Sequence, residues 1–164
     1  MLIGVISDTH DNVEATQKAI KLFNQKRVGL VVHCGDLVSP FLTKFFTELN
    51  CRVIAVFGNN EGDKFRLLKL QNKIEYQGVC AELNLDGKRV VVYHGDSKIL
   101  LNALLKSQIY DVVFSGHDHN ARITKEGKTL YVNPGTLSGF PPGTKPTVAI
   151  YNTETNQAEI QALE

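Results

Sequence analysis

The chain is poor in cysteine. Three occur among 164 residues, Cys34, Cys51 and Cys80, widely spaced and with no Cys-x-x-Cys pair. That excludes a disulfide framework and a cysteine-rich zinc site, and predicts a reducing, cytoplasmic setting with all three as small core residues. Net charge is nearly absent as well: 18 basic against 17 acidic side chains leave +1. The basic residues are scattered (Lys18, Lys26, Arg52, Lys64, Lys88, Arg122, Lys145) and form no polybasic run, so no specific nucleic-acid partner is expected. Long apolar runs are missing; the longest reach five or six residues, against the ~20 that span a bilayer, so no membrane partner is expected. The N-terminus has neither a basic segment nor a long apolar stretch, and no signal peptide is expected. No repeat, low-complexity tract or linker interrupts the chain, and Pro141-Pro142-Gly143 reads as a loop. The length suits a single domain over 1–164, large enough to bury a core without disulfides or a structural metal.

What is there is a regular alternation of apolar patterns. Leu2–Ile6, Leu30–Val32 and Val53–Phe57 are continuous and β-branched, as strands buried on both faces should be. Between them, Thr16, Ala19, Ile20 and Phe23 share one helix face, as do Leu42, Phe45, Phe46 and Leu49. Asp11 with Glu14 reads as a capping box, and Ser39-Pro40 as a helix start. Strand–helix–strand order predicts parallel pairing through right-handed crossovers. The second half turns antiparallel. Val79–Leu85 and Arg89–Tyr93 flank an Asp86-Gly87 turn, and Ala121–Thr124 and Leu130–Val132 flank Glu126-Gly127-Lys128. Thr147–Tyr151 and Ala158–Ala162 read as a last pair. A helix from Ser97 carries a broad apolar face (Leu100, Leu101, Leu104, Leu105), and Val112–Phe114 is a short buried strand. Some ten strands predict an α/β fold with two packed sheets and helices outside.

The unusual polar residues sit at strand ends. Asp8 and His10 follow the run ending at Ile6; Asp36 follows Val32; Asn59 follows Phe57; His94 follows Tyr93; His117 and His119 follow Phe114. In open α/β sheets this edge is where ligands bind. No Ser-His-Asp order or Gly-x-Ser-x-Gly turn is present, which argues against nucleophilic catalysis. Imidazoles clustered with carboxylates suit Mn, Fe, Co, Ni or Zn. Seven ligands exceed what one ion with an open position takes, but suit two ions sharing a carboxylate and clamping a phosphate ester from both sides.

Asp8-x-His10, Gly35-Asp36, Gly58-Asn59-Asn60-Glu61, His94-Gly95 and Gly116-His117-Asp118-His119, in this order, resemble the signature of the calcineurin-like metallophosphoesterases. Asn133-Pro134-Gly135-Thr136 is similar to a segment of the small single-domain archaeal and bacterial phosphodiesterases of that superfamily. The resemblance implies a four-layer αββα sandwich of two mixed β-sheets. It also implies a first divalent metal ion on Asp8, His10, Asp36 and His119, and a second on Asp36, Asn59, His94 and His117. Asp36 would bridge the two, and a hydroxide between them would be the nucleophile, with Asp36, Asn59 and His94 counted as catalytic. The implied substrate is a small phosphoester and the implied assembly a homodimer.

Two positions depart from the family pattern. Asn60 stands where the usual motif has a histidine, and an amide donates a hydrogen bond but cannot pass a proton. Asp96 stands where many relatives have His; it reads either as an acid or as the cap of the following helix. Plainer readings exist for several residues: Asp8 and Asp36 as helix caps, Asn59 as a turn residue, His33 as a core histidine, Gly135 and Thr136 as loop geometry. Phe140, in a Pro/Gly loop, is expected to be exposed. No Lys or Arg lies within the five motifs, although Arg122 could fold over the site, and Glu61 and Asp96 are expected nearby. The rival to an enzyme is a protein-interaction scaffold on the same fold, as the retromer subunit of this superfamily is regarded. The full ligand set favours the enzyme.

Overall fold

The computed structural model describes residues 1–70 and 74–164. The chain runs β1 (Leu2–Ile6), α1 (Val13–Lys26), β2 (Leu30–His33), a 3₁₀ helix (Pro40–Glu48), β3 (Val53–Ala55), α2 (Lys64–Lys69) and β4 (Ile74–Tyr76). It continues β5 (Cys80–Leu85), β6 (Lys88–Tyr93), α3 (Lys98–Lys106), β7 (Val112–Phe114), β8 (Arg122–Glu126), β9 (Thr129–Asn133), β10 (Thr147–Asn152) and β11 (Gln157–Ala162). The first sheet has the order β11-β10-β1-β2-β3-β4 and the second β5-β6-β7-β9-β8. Pairing is parallel along β1-β2-β3-β4 and β6-β7-β9, and antiparallel in the β5-β6, β8-β9 and β10-β11 hairpins and between β1 and β10.

Alternation along the strands builds the layers. Ile3 and Val5 of β1, Val32 of β2 and Ile54 of β3 meet Ala81, Val90, Val92, Phe114 and Val132 of the second sheet in one apolar layer. The intervening residues, Ile6, Val31 and Val53, face Ala19, Ile20 and Phe23 of α1 and Leu42 and Phe46 of the 3₁₀ helix. On the far side Val91, Val113 and Tyr131 carry Leu101, Leu104 and Leu105 of α3. This is the expected sandwich of two mixed sheets between helices. Among the described residues no helix is long and apolar enough to cross a membrane.

Several local expectations are corrected. Asn12, not Asp11, caps α1, its side chain accepting from the Ala15 N–H at 3.1 Å. Asp11 instead accepts the Ser39 N–H at 2.9 Å and the Ser39 hydroxyl. With its hydroxyl committed there, Ser39 makes no side-chain cap of its own, and the segment after it winds as 3₁₀. Ser97, not Asp96, caps α3. The run Val53–Phe57 leaves its ladder at Ala55. The structure adds α2 and the three-residue β4, giving eleven strands among the described residues. Cys34 is buried, but Cys80 lies exposed on the edge strand β5 rather than in the core. The broad apolar face of α3 is only half covered, with Leu100 and Ile99 exposed.

Candidate metal centre

The loops after β1, β2, β3, β6 and β7 leave one edge of the sandwich, and the seven expected ligands converge there. Five of the seven have a strained backbone. Asp8 (φ 52°), His10 (42°), Asp36 (59°), His117 (71°) and His119 (60°) are all left-handed. Such conformations cost on the order of 1–3 kcal/mol each and persist where the surroundings over-determine them, chiefly at functional sites. Gly58 and Gly116 permit the crowding. A Cβ on Gly58 would collide with the Asp36 carboxylate, and one on Gly116 with Ser7 and Asp8.

At the centre, His119 Nε2 lies 3.3 Å and His10 Nε2 3.7 Å from Asp8 Oδ1. Asp36 Oδ2 stands between His10 Nε2 at 3.5 Å and His94 Nε2 at 3.4 Å. Asn59 Oδ1 is 3.0 Å from both His94 Nε2 and His117 Nδ1. Two groups have donor atoms close enough to hold an ion: Asp8, His10 and His119; and Asp8, Asp36 and His94. Asp8 Oδ1 and His10 Nε2 are buried with no hydrogen-bond partner among the described residues. Buried polar atoms are nearly always satisfied, so two orphans facing each other fit a cation.

Two of the imidazoles are oriented by backbone carbonyls. His94 donates its Nδ1–H to the Cys34 carbonyl at 2.9 Å, and His119 donates its own to the Phe140 carbonyl at 3.0 Å. Each bond turns Nε2 towards the carboxylates, the arrangement that orients metal-binding histidines. Burial works against the charged form of both carboxylates, yet their neighbours outweigh it. His10, His119 and His94 hold the Asp8 carboxyl well below its ordinary range. His94 and the two Asn60 donors hold Asp36 down at about 2. Reciprocally, burial alone would lower His94, but Asp36 and Asp8 raise it to about 8.

The supports come from residues whose roles the sequence did not reveal. Asn60 donates its backbone N–H to Asp36 Oδ1 at 2.8 Å and its amide to Oδ2 at 2.7 Å. Glu61 lies beside the site as expected; it is buried and accepts the Gly58 and Leu37 N–H groups, tying the loops after β2 and β3 together. Thr136 donates its hydroxyl to the Asp8 carbonyl at 2.9 Å. Arg122 does not fold over the site as a lone cation, because Asp118 pairs with it at 2.6 Å.

His33 is more than a core group. It is fully buried, and its Nδ1 accepts the Gly35 N–H at 3.1 Å. Its Nε2–H is therefore the donor to the Thr9 hydroxyl 2.6 Å away. Burial lowers its pKa to about 4, so it is neutral at pH 7. One imidazole thus joins the loop bearing Asp8 and His10 to the loop bearing Asp36. Thr9→Val keeps the side-chain shape and removes this bond. It is expected to weaken Mn²⁺ binding by about tenfold, the lower end for outer partners of ligands. The His33 N–H left unpaired should cost about 1–3 kcal/mol of stability. Calorimetric Mn²⁺ titration checks the first; unchanged affinity would make the His33–Thr9 bond a core feature only.

The chain matches the calcineurin-like phosphoesterase superfamily domain over residues 1–156. It is 36% identical over 167 aligned positions to a phosphodiesterase of Methanocaldococcus jannaschii, covering 100% of both chains. A solved archaeal phosphodiesterase superposes with a TM-score of 0.92 at 35% identity, over 99% of this chain and 100% of that one. Vacuolar protein sorting protein 29 of Entamoeba histolytica, solved with zinc, superposes at 0.72 over 100% of both chains; at 16% identity this likeness is one of fold alone. The chain belongs to the calcineurin-like phosphoesterase superfamily, and it is a metal-dependent phosphoric ester hydrolase.

Proposed function

We propose that the protein is a phosphodiesterase with a dinuclear centre, acting on small phosphoesters. The observation that carries this reading is the pair of orphaned buried atoms, Asp8 Oδ1 and His10 Nε2, amid two carboxylates and converging imidazoles. Asp8, His10, Asp36 and His119 would hold one divalent ion, and Asp36, Asn59, His94 and His117 the other. Two ions of Mn, Ni, Co, Fe or Zn would supply a bridging hydroxide as nucleophile and neutralise the phosphoryl oxygens. Asp36 would be shared between the two ions, since its carboxylate faces both His10 and His94. Asn60 holds that carboxylate in place through two hydrogen bonds. Backbone carbonyls accept the Nδ1–H groups of His94 and His119, which leaves each Nε2 facing the carboxylates. The scaffold reading has less support, because all seven positions retain a donor. Its few and separated cysteines fit a cytoplasmic protein, and its expected assembly is a homodimer.

Charge selects the ester. Two divalent ions, two carboxylates and a hydroxide leave one positive charge. A diester monoanion balances it, whereas a monoester dianion leaves a net negative charge in a partly desolvated cleft. Arg122, outside the five motifs, is already offset by Asp118. Metal-stripped protein, refilled in turn with Mn, Ni, Co, Mg and Zn, is assayed on bis(p-nitrophenyl) phosphate and p-nitrophenyl phosphate. Turnover is expected only with metal, with higher kcat/KM for the diester. Undiminished activity after stripping would overturn the metal reading, and the reverse ranking would overturn the diester reading.

A further inference from the structure

We propose that Phe140 is a specificity residue, a stacking platform for diesters whose alcohol carries a planar aromatic group, nucleoside esters included. This rests on the phosphodiesterase reading above. Phe140 lies on the loop between β9 and β10, and that loop is bolted to the centre at several points. Leu137 and Ser138 donate their N–H groups to the Asp8 carbonyl at 3.2 and 2.9 Å. Asn12 donates its side-chain amide to the Leu137 and Ser138 carbonyls. The Phe140 N–H reaches the Ser138 hydroxyl at 3.1 Å, and the Phe140 carbonyl receives the Nδ1–H of His119. Both backbone groups of Phe140 are thus fixed, one of them directly to a candidate ligand.

The side chain is not fixed into a core. It is 64% exposed, on a chain most of whose aromatic rings are buried or half-buried. Its neighbours Gly139, Pro141, Pro142 and Gly143 are too small or too rigid to cover it. An isolated exposed apolar residue is unremarkable on a mobile loop. Here the ring is tethered about one residue's length from an imidazole whose other nitrogen faces Asp8. An aromatic group on an ester bound at the metal centre would have this uncharged, solvent-exposed ring within one residue of His119. Aromatic faces bind planar ring systems with little regard to their hydrogen-bonding edges. This agrees with a chain in which no base-reading motif is present.

The test compares two stable monoanions of equal charge, diphenyl phosphate and diethyl phosphate, as competitive inhibitors of bis(p-nitrophenyl) phosphate turnover. The Mn²⁺-loaded wild type is compared with Phe140→Ala, Phe140→Leu and Phe140→Trp. The wild type is expected to favour diphenyl phosphate. In Phe140→Ala that preference should fall by about fivefold, near the lower end of base–aromatic stacking. Phe140→Trp should keep it and Phe140→Leu should lose most of it. Mn²⁺ stoichiometry should stay unchanged in all three, because the His119 contact is made by the backbone. If alanine disturbs the loop and lowers that stoichiometry, the Leu and Trp pair supplies the comparison. A change under twofold in the alanine variant, or equal preference in the Leu and Trp variants, would overturn the platform. Absence of metal-dependent diester turnover in the wild type would instead overturn the underlying function.

Discussion

Replacing Asp36 by alanine is expected to remove more than one equivalent of bound metal and to reduce diester turnover on the order of 10³-fold or more. Even one preorganised donor at a reacting centre acts on the 10²–10³ scale, and Asp36 is a buried carboxylate that faces both His10 and His94. Its Oδ2 is 3.5 Å from His10 Nε2 and 3.4 Å from His94 Nε2, and its removal also leaves both Asn60 donors without their acceptor. Asp36→Asn is the cleaner variant. Asn tolerates the left-handed backbone at φ 59° and keeps the side-chain shape while losing the charge. Both should lose metal as measured by elemental analysis, with the asparagine variant retaining a native thermal transition. Two retained equivalents and normal turnover in either variant would end the shared-carboxylate mechanism. Asn59→Ala should be milder, lowering occupancy of the second ion alone.

Asn60→His is expected to act in the opposite direction, and selectively. Asn60 is exposed at the lip of the site and bonded to Asp36, so an imidazole has room there and a carboxylate to orient it. The native amide cannot protonate a departing alkoxide. General acid catalysis is typically worth 10²–10⁴-fold, and a partial gain of about tenfold or more is expected on diesters with alkyl leaving groups. Nitrophenolate leaves without such help, so nitrophenyl diesters should change by less than about threefold. The gain should fade as pH rises past about 6.5, the ordinary pKa of histidine, because the acid form is then lost. Equal and negligible changes on both ester classes would show that Asn60 does not mark a missing acid.

The arrangement of layers and the identity of the polar residues at strand ends are local properties. β-branched runs such as Leu2–Ile6 and Val112–Phe114 carry their burial in their own composition, and the face shared by Ala19, Ile20 and Phe23 carries its helix. Placing Asp8, Asp36, Asn59, His94 and His117 just past five such runs needed only chain order. Elements too short to show a period escaped. β4 has three residues with one exposed, and α2 has six with Phe65 and Leu68 exposed.

Other features depend on partners far away in the chain. The cap of α1 moves from Asp11 to Asn12 because Ser39, 28 positions on, takes the Asp11 carboxylate. Glu61 turns inward because two loops leave N–H groups that its two carboxylate oxygens satisfy together. His33 looks like any core histidine until Thr9 and Gly35 are found on either side of its ring. The chain therefore specified by itself its longer strands, its main helices and the kinds of side chain at one sheet edge, because burial and chain order are written in consecutive residues. Only the tertiary structure decided which atoms face one another and which remain without a partner. Those meetings arise where crossover connections and left-handed loops bring segments tens of residues apart to within a few ångströms.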